Sequence, residues 1–504
     1  MHRKAKRGAP AARYNSAMHT LRSRIPIALP VVCVGVLAAS LVAVSQAIVP
    51  ASPSDRAEAQ EIFKQLIEIN TTDTPQGSVT AGTQAMEKRF LDAGFPREDV
   101  HLLGPNEKKM NLVVRYPAAG TPTEKPVLFL CHMDVVEALK SDWHTDPFQF
   151  VEKDGYWYGR GTQDMKDSDA ALVATFLRLH RERYKPKRDL ILALTADEEG
   201  GSFNGASWLV NEHRDLVDAA YVINPDSGGV ELDHSHAVVA DVEATEKVYA
   251  DYRVTALNPG GHSSRPRADN AIYELTNALE KLAHYSFPFE MNEVTRTYFR
   301  NLEKEEPEGT AMDIRAILAN PPDMAAAARL SAEPSFNSNF RTTCVATRLS
   351  AGHANNALAQ TAQANVNCRI FPGHSPEEIR QDLIKLFADS KLSVKYVSDG
   401  GTVSDAAPER KAIVPPPPNP EVFEPLTKIT QEIWPGVPVT PVMENGASDS
   451  IYFAWAGIPC YGYSAIALER DDDRAHGQDE RLPADSYWKS LDFFYAFAKA
   501  VGGA

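Results

Sequence analysis

Cysteine is scarce in this chain, five in 504 residues. Cys33 lies in an apolar N-terminal stretch, and Cys131, Cys344, Cys368 and Cys460 are too sparse for a disulfide scaffold. Cys344 and Cys368 fall on two strand-like runs that could form one hairpin, so either one bridge or two buried thiols fits them. Acidic residues are missing from residues 1–24, which hold seven Lys or Arg, and residues 25–49 carry no charge at all. Beyond that start, cations are in short supply. The whole chain carries −15, and taking away those seven cations leaves −22. A body so acidic repels phosphate backbones, which excludes nucleic acid as a partner. Internal repeats are absent, and 43% hydrophobic with 24% charged residues excludes a disordered, collagen-like or coiled-coil bulk. What is there is a globular chain long enough for two or three domains.

The uncharged run IPIALPVVCVGVLAASLVAVSQAIV follows a basic flank and ends near Ser45-Gln46-Ala47, with small residues at both cleavage-type positions. Residues 1–50 therefore read as a secretory signal, with Met18 as an alternative start, or as an uncleaved membrane anchor. Either reading exports the body to the periplasm or the outside, with membrane contact only through this segment.

Residues 55–69 and 80–93 read as amphipathic helices. Next come an apolar strand at 126–131, a helix at 168–179 capped by Asp167 or Ser168, and an apolar strand at 189–196. A helix at 205–217 and another apolar strand at 219–224 complete the series. Strand and helix in alternation predict an α/β fold, a mostly parallel sheet flanked by helices. Near residue 245 the strands begin to alternate in polarity, at 248–256, 341–349, 363–371 and 392–397, with helices at 270–283 and 376–388. This is a β-α-β-β-α-β series, the split-βαβ pattern of a small α+β domain. Residues 285–335 read as irregular and polar, with EKEEPEGT and ANPPD. After the proline-rich connector at 414–420 come a helix at 421–433, a strand at 458–464 and a helix at 485–501. The expected division is one domain built from two stretches of chain, 51–244 and 401–504, with a second, smaller domain inserted between them at 245–400.

Four segments place acidic or imidazole groups near the ends of apolar strands. They are Cys131-His132-Met133-Asp134, Gly161-Thr162-Gln163-Asp164-Met165, Asp197-Glu198-Glu199-Gly200 and Asn224-Pro225-Asp226. The carboxyl ends of neighbouring parallel strands converge on one crevice, so His132, Asp164, Glu198, Glu199 and Asp226 should meet there. Packed carboxylates repel one another, and divalent cations are the natural answer. Consecutive side chains diverge, so one of Glu198 and Glu199 can bind metal while the other acts as base. Asp134, on the same strand face as His132, is placed to fix its second ring nitrogen.

In order and spacing these segments resemble the co-catalytic zinc hydrolases that include acetylornithine deacetylase, succinyl-diaminopimelate desuccinylase, aminoacylase and glutamate carboxypeptidase. The resemblance spans roughly residues 55–503 and is nearest to the carboxypeptidase S and N-acyl-amino-acid hydrolase branch. It implies two Zn2+ per chain, with Co2+ or Mn2+ as substitutes. His132 and Asp226 would bind one, Glu199 and His476 the other, and Asp164 would bridge; Glu198 would be the general base. A cis peptide is implied at Asp164–Met165. The resemblance makes 245–400 a dimerisation lid, whose His262 in Gly260-Gly261-His262 reaches the partner's site in a homodimer. Asn356, Arg369 and Gly446 match substrate-facing positions, although Ala351 and Ala359 depart from the usual glycine and proline. His144, His213, His234, His236 and His353 match no such pattern and read as surface or structural residues. The implied function is hydrolysis of an amide or peptide bond in a small carboxylate-bearing substrate, a peptide or an N-acyl amino acid. An aminopeptidase of the same chemistry, or an exported non-catalytic binding protein on the same fold, are the rival readings.

Overall fold

The computed structural model describes residues 48–398, 400–415 and 417–503. The N-terminal segment at 1–47, with its expected signal or anchor, lies outside the described residues. Among the described residues no helix is long and apolar enough to cross a membrane.

The larger sheet has ten strands among the described residues. Its centre is parallel: Val127–His132 lies between Leu190–Thr195 and Tyr221–Asn224, and Cys460–Gly462 continues beside the latter. Every residue of those first three strands is buried, as sheets covered on both faces require. The flanks are antiparallel. Val100–Leu103 and Asn111–Tyr116 extend one edge, and Gly229–Asp233 with His236–Glu246 extend the other. Val439–Glu444 joins His236–Glu246 in parallel. The sheet is thus mixed, with strands from 100–246 and from 439–469 side by side. The flanking strands escaped the sequence reading because their apolar runs are short or interrupted by charge.

The helix Lys166–Arg181 packs between Pro53–Ile67 and Ala484–Gly502 and is buried from Lys166 to Leu179. It begins earlier than expected, and neither Asp167 nor Ser168 caps it. The backbone carbonyls of Gly161 and Met165 accept the first N–H groups instead, at 2.9 Å from Lys166 and 3.1 Å from Asp169. The helix expected at 205–217 breaks at His213, whose φ of −136° and ψ of 42° are non-helical and separate Gly205–Glu212 from Arg214–Val217.

A second sheet, wholly antiparallel, runs in the order Thr343–Ala351, Thr361–Ile370, Val248–Leu257, Leu392–Val397, Val403–Ser404. Helices Ala271–Ala283 and Pro376–Phe387 pack on it and on each other, over a core that includes Leu275, Val366 and Leu383. The first four strands and two helices follow the β-α-β-β-α-β order read from the sequence. The segment expected to be irregular is instead helical, with Glu293–Leu302, Glu308–Leu318, Met324–Leu330 and Pro334–Asn339. These helices close over Phe299, Ile314, Ile317 and Phe340. EKEEP and ANPPD are the turns between them, and their punctuation hid the short amphipathic stretches on either side.

Cys344 and Cys368 stand opposite each other on neighbouring strands and form a disulfide, whereas Cys131 and Cys460 are buried free thiols. A non-reducing peptide map should join Cys344 to Cys368 alone. Closing that loop should stabilise the fold by about 3 kcal/mol in the chain-entropy account, read as the loss on replacing both cysteines by Ala.

At the start of Pro376–Phe387, Glu377 accepts from Arg380 Nε at 2.8 Å and Nη2 at 2.7 Å, and from the Ala407 N–H at 2.9 Å. The arginine bonds come first among the causes that hold its carboxyl down to about 2, against an ordinary 4.5. The folded value lies below the unfolded one, so this contribution is complete above pH 4.5 and is lost as pH falls towards 2. Glu377→Gln should lower the melting temperature modestly at pH 7 and shrink the loss between those two pH values, measured by thermal melts across that range.

Candidate metal centre

His132 ends its strand, Asp197-Glu198-Glu199 follows the neighbouring strand, and Asp226 lies just beyond the next. Parallel pairing therefore delivers all of them to one edge. His132 Nε2 lies 3.0 Å from Asp164 Oδ1 and 3.3 Å from Asp226 Oδ1. His476 Nε2 lies 2.9 Å from Asp164 Oδ2 and 2.9 Å from Glu199 Oε1. Each oxygen of Asp164 thus faces a different imidazole. Glu198 offers an oxygen to a second cluster, with His132 and Asp226, in which all the ligand atoms lie within 4.8 Å of one another. The five ligand candidates and Glu198 occupy one site.

Asp164 is held in place by backbone geometry. Its peptide bond to Met165 is cis, as the resemblance implied. Glu480, fully buried, accepts from the N–H groups of Gly161 at 3.1 Å, Gln163 at 2.7 Å and Asp164 at 3.3 Å, and pairs with Arg160 at 2.5 Å. Asp134 does something other than expected. The atom that bonds His132 Nδ1 is its backbone carbonyl, at 3.1 Å, while its carboxylate stays 3.8 Å away. That carboxylate instead accepts the N–H of Glu198 at 3.1 Å and of Glu199 at 2.9 Å, clamping the turn that carries both glutamates. The loop has further support. Lys109 pairs with Asp197 and with Asp73, Asn111 Oδ1 accepts the Ala196 N–H at 3.0 Å, and Asp449 accepts from Thr195 Oγ1 at 2.9 Å.

The electrostatics follow from packing like charges out of water. Burial works to lower the His132 pKa, but Asp226 and Asp164 outweigh it and hold the ring well above its ordinary value. Bonds to Asp164 and Glu199 push His476 up to about 10. Burial, then Asp226, drives the Glu198 carboxyl well up, and burial raises Asp134 to about 7. The site gathers positive charge onto its imidazoles because its carboxylates demand it. Two imidazole nitrogens and the oxygens of Asp164, Asp226 and Glu199 form a donor set suited to divalent zinc. Asp164 Oδ1, buried and facing the His132 ring at 3.0 Å without a well-aligned hydrogen bond, is a ligand atom that a cation would satisfy.

The four remaining candidates lie apart from these contacts. Gly261–His262 pairs with Ala357–Leu358, and the Asn356 carbonyl accepts the Ser263 N–H at 3.0 Å, so the fold brings His262 and Asn356 together. Both are exposed, and the His262 ring bonds Ser264 rather than any metal candidate. The Arg369 guanidinium lies over the Tyr249 ring at 4.8 Å, with its Nη1 buried and unpaired. The Gly446 N–H is tied to Glu444 at 2.8 Å. Sequence reading passed over Glu480, Asp449, Lys109 and Asn111. Glu480 could have been noticed beside His476, but its hold on Asp164 is a tertiary contact.

Residues 128–500 match the profile of Peptidase family M20/M25/M40. The chain belongs to that family. Over 458 residues it is 27% identical to the human N-fatty-acyl-amino acid synthase/hydrolase PM20D1, covering 88% of each chain. It is 27% identical over 432 residues to the probable carboxypeptidase S-like 2 of Dictyostelium discoideum, covering 81% of this chain and 78% of that one. Its fold matches the M20 family metallo-carboxypeptidase of Sulfolobus solfataricus at a TM-score of 0.64 and 15% identity, over 88% of this chain and 99% of that one. This M20 chain is therefore a metal-dependent hydrolase, with an α/β catalytic fold and a second α+β layer.

The Asp134 geometry yields a test. Asp134→Asn leaves the carbonyl on His132 in place but removes one of the two acceptors of the glutamate turn. Metal content should hold while kcat falls about 10–100-fold. Metal loss preceding the fall in rate would show that the carboxylate serves His132 after all.

Proposed function

We propose that this M20 chain is an exported di-zinc amidohydrolase that cuts an amide bond next to a free carboxylate, in a small peptide or an N-acyl amino acid. The observation that carries this reading is the shared carboxylate of Asp164, one oxygen toward His132 and the other toward His476. His132, Asp226 and Asp164 would hold one cation, and His476, Glu199 and Asp164 the other. When bound, the pair would polarise the scissile carbonyl and acidify the attacking water.

Glu198 is the base in this reading. Its side chain makes no hydrogen bond or ion pair among the described residues, and it lines a cavity of about 630 Å³ large enough for a dipeptide-sized substrate. Its carboxylate takes the proton from the attacking water and returns it to the leaving amine. Asp134 keeps Glu198 and Glu199 diverging, one toward the substrate and one toward the metal. Relatives named for acyl-amino acid hydrolysis and for carboxypeptidase action support a bond adjacent to a carboxylate. An aminopeptidase remains the rival for the bond cut.

Export is supported by the basic and apolar start of the chain and by the Cys344–Cys368 bridge, which suits an oxidising compartment. We also propose that 245–400 acts as a lid through which two copies pair. The exposed Val345 and Leu349 on the edge strand Thr343–Ala351 support this, with His262 of one copy serving the other's site.

Two variants test the roles. Glu198→Gln should cut kcat by about 10²–10⁴ with two zinc ions retained, whereas Glu199→Ala should lose zinc before anything else. Elemental analysis beside rate measurements on dipeptides and acyl-amino acids reads both. Loss of zinc in Glu198→Gln with retention in Glu199→Ala would reverse the assignment.

A further inference from the structure

The cavity beside Glu198 is acidic. Asp197, Glu198, Glu212, Asp251 and Asp449 line it, and Arg410 is the one Lys, Arg or His among its described lining residues. An anionic substrate entering here meets several carboxyl groups and one cation, so that cation bears on whether it is admitted.

Arg410 is built for that task. It is half-buried, and its guanidinium stacks on the Trp455 ring at 3.6 Å from the centroid. Stacking covers one face of the guanidinium and leaves its N–H edge available, the arrangement that grips a planar carboxylate with two parallel bonds. Among the described residues Arg410 forms no ion pair, although acids line the same cavity, and three of those acids are engaged elsewhere. Asp251 accepts from Tyr249 at 2.7 Å, Asn365 at 2.8 Å and Asn367 at 2.9 Å. Asp449 is taken by Thr195 and Asn204, and Asp197 by Lys109 and the Phe203 N–H. Other arginines of this acidic chain are matched: Arg160 with Glu480, Arg380 with Glu377, Arg481 with Asp472. Arg369, a substrate-facing candidate from the sequence, does not line the cavity; Tyr249, on which it stacks, stands there instead.

We propose that Arg410 is a specificity-determining residue that binds the substrate's free carboxylate, placing the scissile amide beside Glu198. This deepens the hydrolase reading above and rests on it.

The experiment uses the full-length, zinc-loaded enzyme. Ala-Phe, N-acetyl-phenylalanine and N-lauroyl-phenylalanine are each assayed as the free acid and as the C-terminal amide, with wild type, Arg410→Gln, Arg410→Lys and Arg369→Gln. The expected result is a wild-type preference for acids. Arg410→Gln should raise KM for the acid by about 10–100-fold with kcat nearly unchanged and the amide unaffected, and Arg410→Lys should fall between. Equal losses on acid and amide, with a lowered melting temperature, would mean that Arg410 only pins its loop to Trp455 and would overturn the proposal. So would loss of the acid preference in Arg369→Gln alone, or a wild type indifferent to the carboxylate. Zinc-loaded wild type that turns over none of the six substrates would count against the hydrolase reading. Calorimetric titration of N-acetyl-phenylalanine then decides the anchor by itself: binding lost in Arg410→Gln sustains it, and equal binding refutes it.

Discussion

Asp164, Glu198, Glu199 and Asp226 are crowded into one place, and their mutual repulsion in a water-poor setting is the constraint on which the rest depends. Removing carboxylates from water is costly unless positive charge meets them. Here it is met by imidazoles, each reaching a different oxygen of Asp164, in an arrangement that divalent cations suit better still. A centre of this kind tolerates little drift. The surrounding shell is accordingly made of charged hydrogen bonds to backbone groups: Glu480 on the N–H groups before the cis peptide, Asp134 on those of the glutamate pair.

That shell draws on distant regions of the chain. Strands from residues 100–246 and 439–469 form one sheet, so the arm bearing His476 and Glu480 reaches the ends of strands laid down hundreds of residues earlier. Lys109 and Asn111 support the loop before Glu198 from a segment that precedes the matched family region of 128–500. The N-terminal helices and edge strands are therefore more than a cover for the core. They fix the backbone from which Glu198 projects.

Charge scarcity of one sign gives the molecule its second theme. In a chain of net −15, arginines near the site are mostly taken up by carboxylates that need them. Arg160 is committed to Glu480 in the interior, at a position where an unpaired partner would destabilise both. An unmatched cation facing the cavity is informative for that reason, and aromatic stacking lets Arg410 keep its place without an ion-pair partner among the described residues.

Much of this was legible in the sequence. Buried parallel strands are continuous apolar runs, and half-exposed antiparallel strands alternate, so 127–132, 190–195, 221–224 and the second sheet announced themselves through period and composition. The metal candidates were readable because strand ends converge whatever the details of packing. Other features were decided only in three dimensions. Short flanking strands acquire their partners from the sheet they join, and the helices of 293–339 exist because Phe299 and Phe340 find each other. The division of labour within Asp134, carbonyl to His132 and carboxylate to the glutamate turn, depends on a backbone path that residue type does not encode. Which arginine faces the cavity is likewise set by packing. A strand residue such as Arg369 and a loop residue such as Arg410 look alike in sequence, and only the fold puts one behind Tyr249 and the other on Trp455.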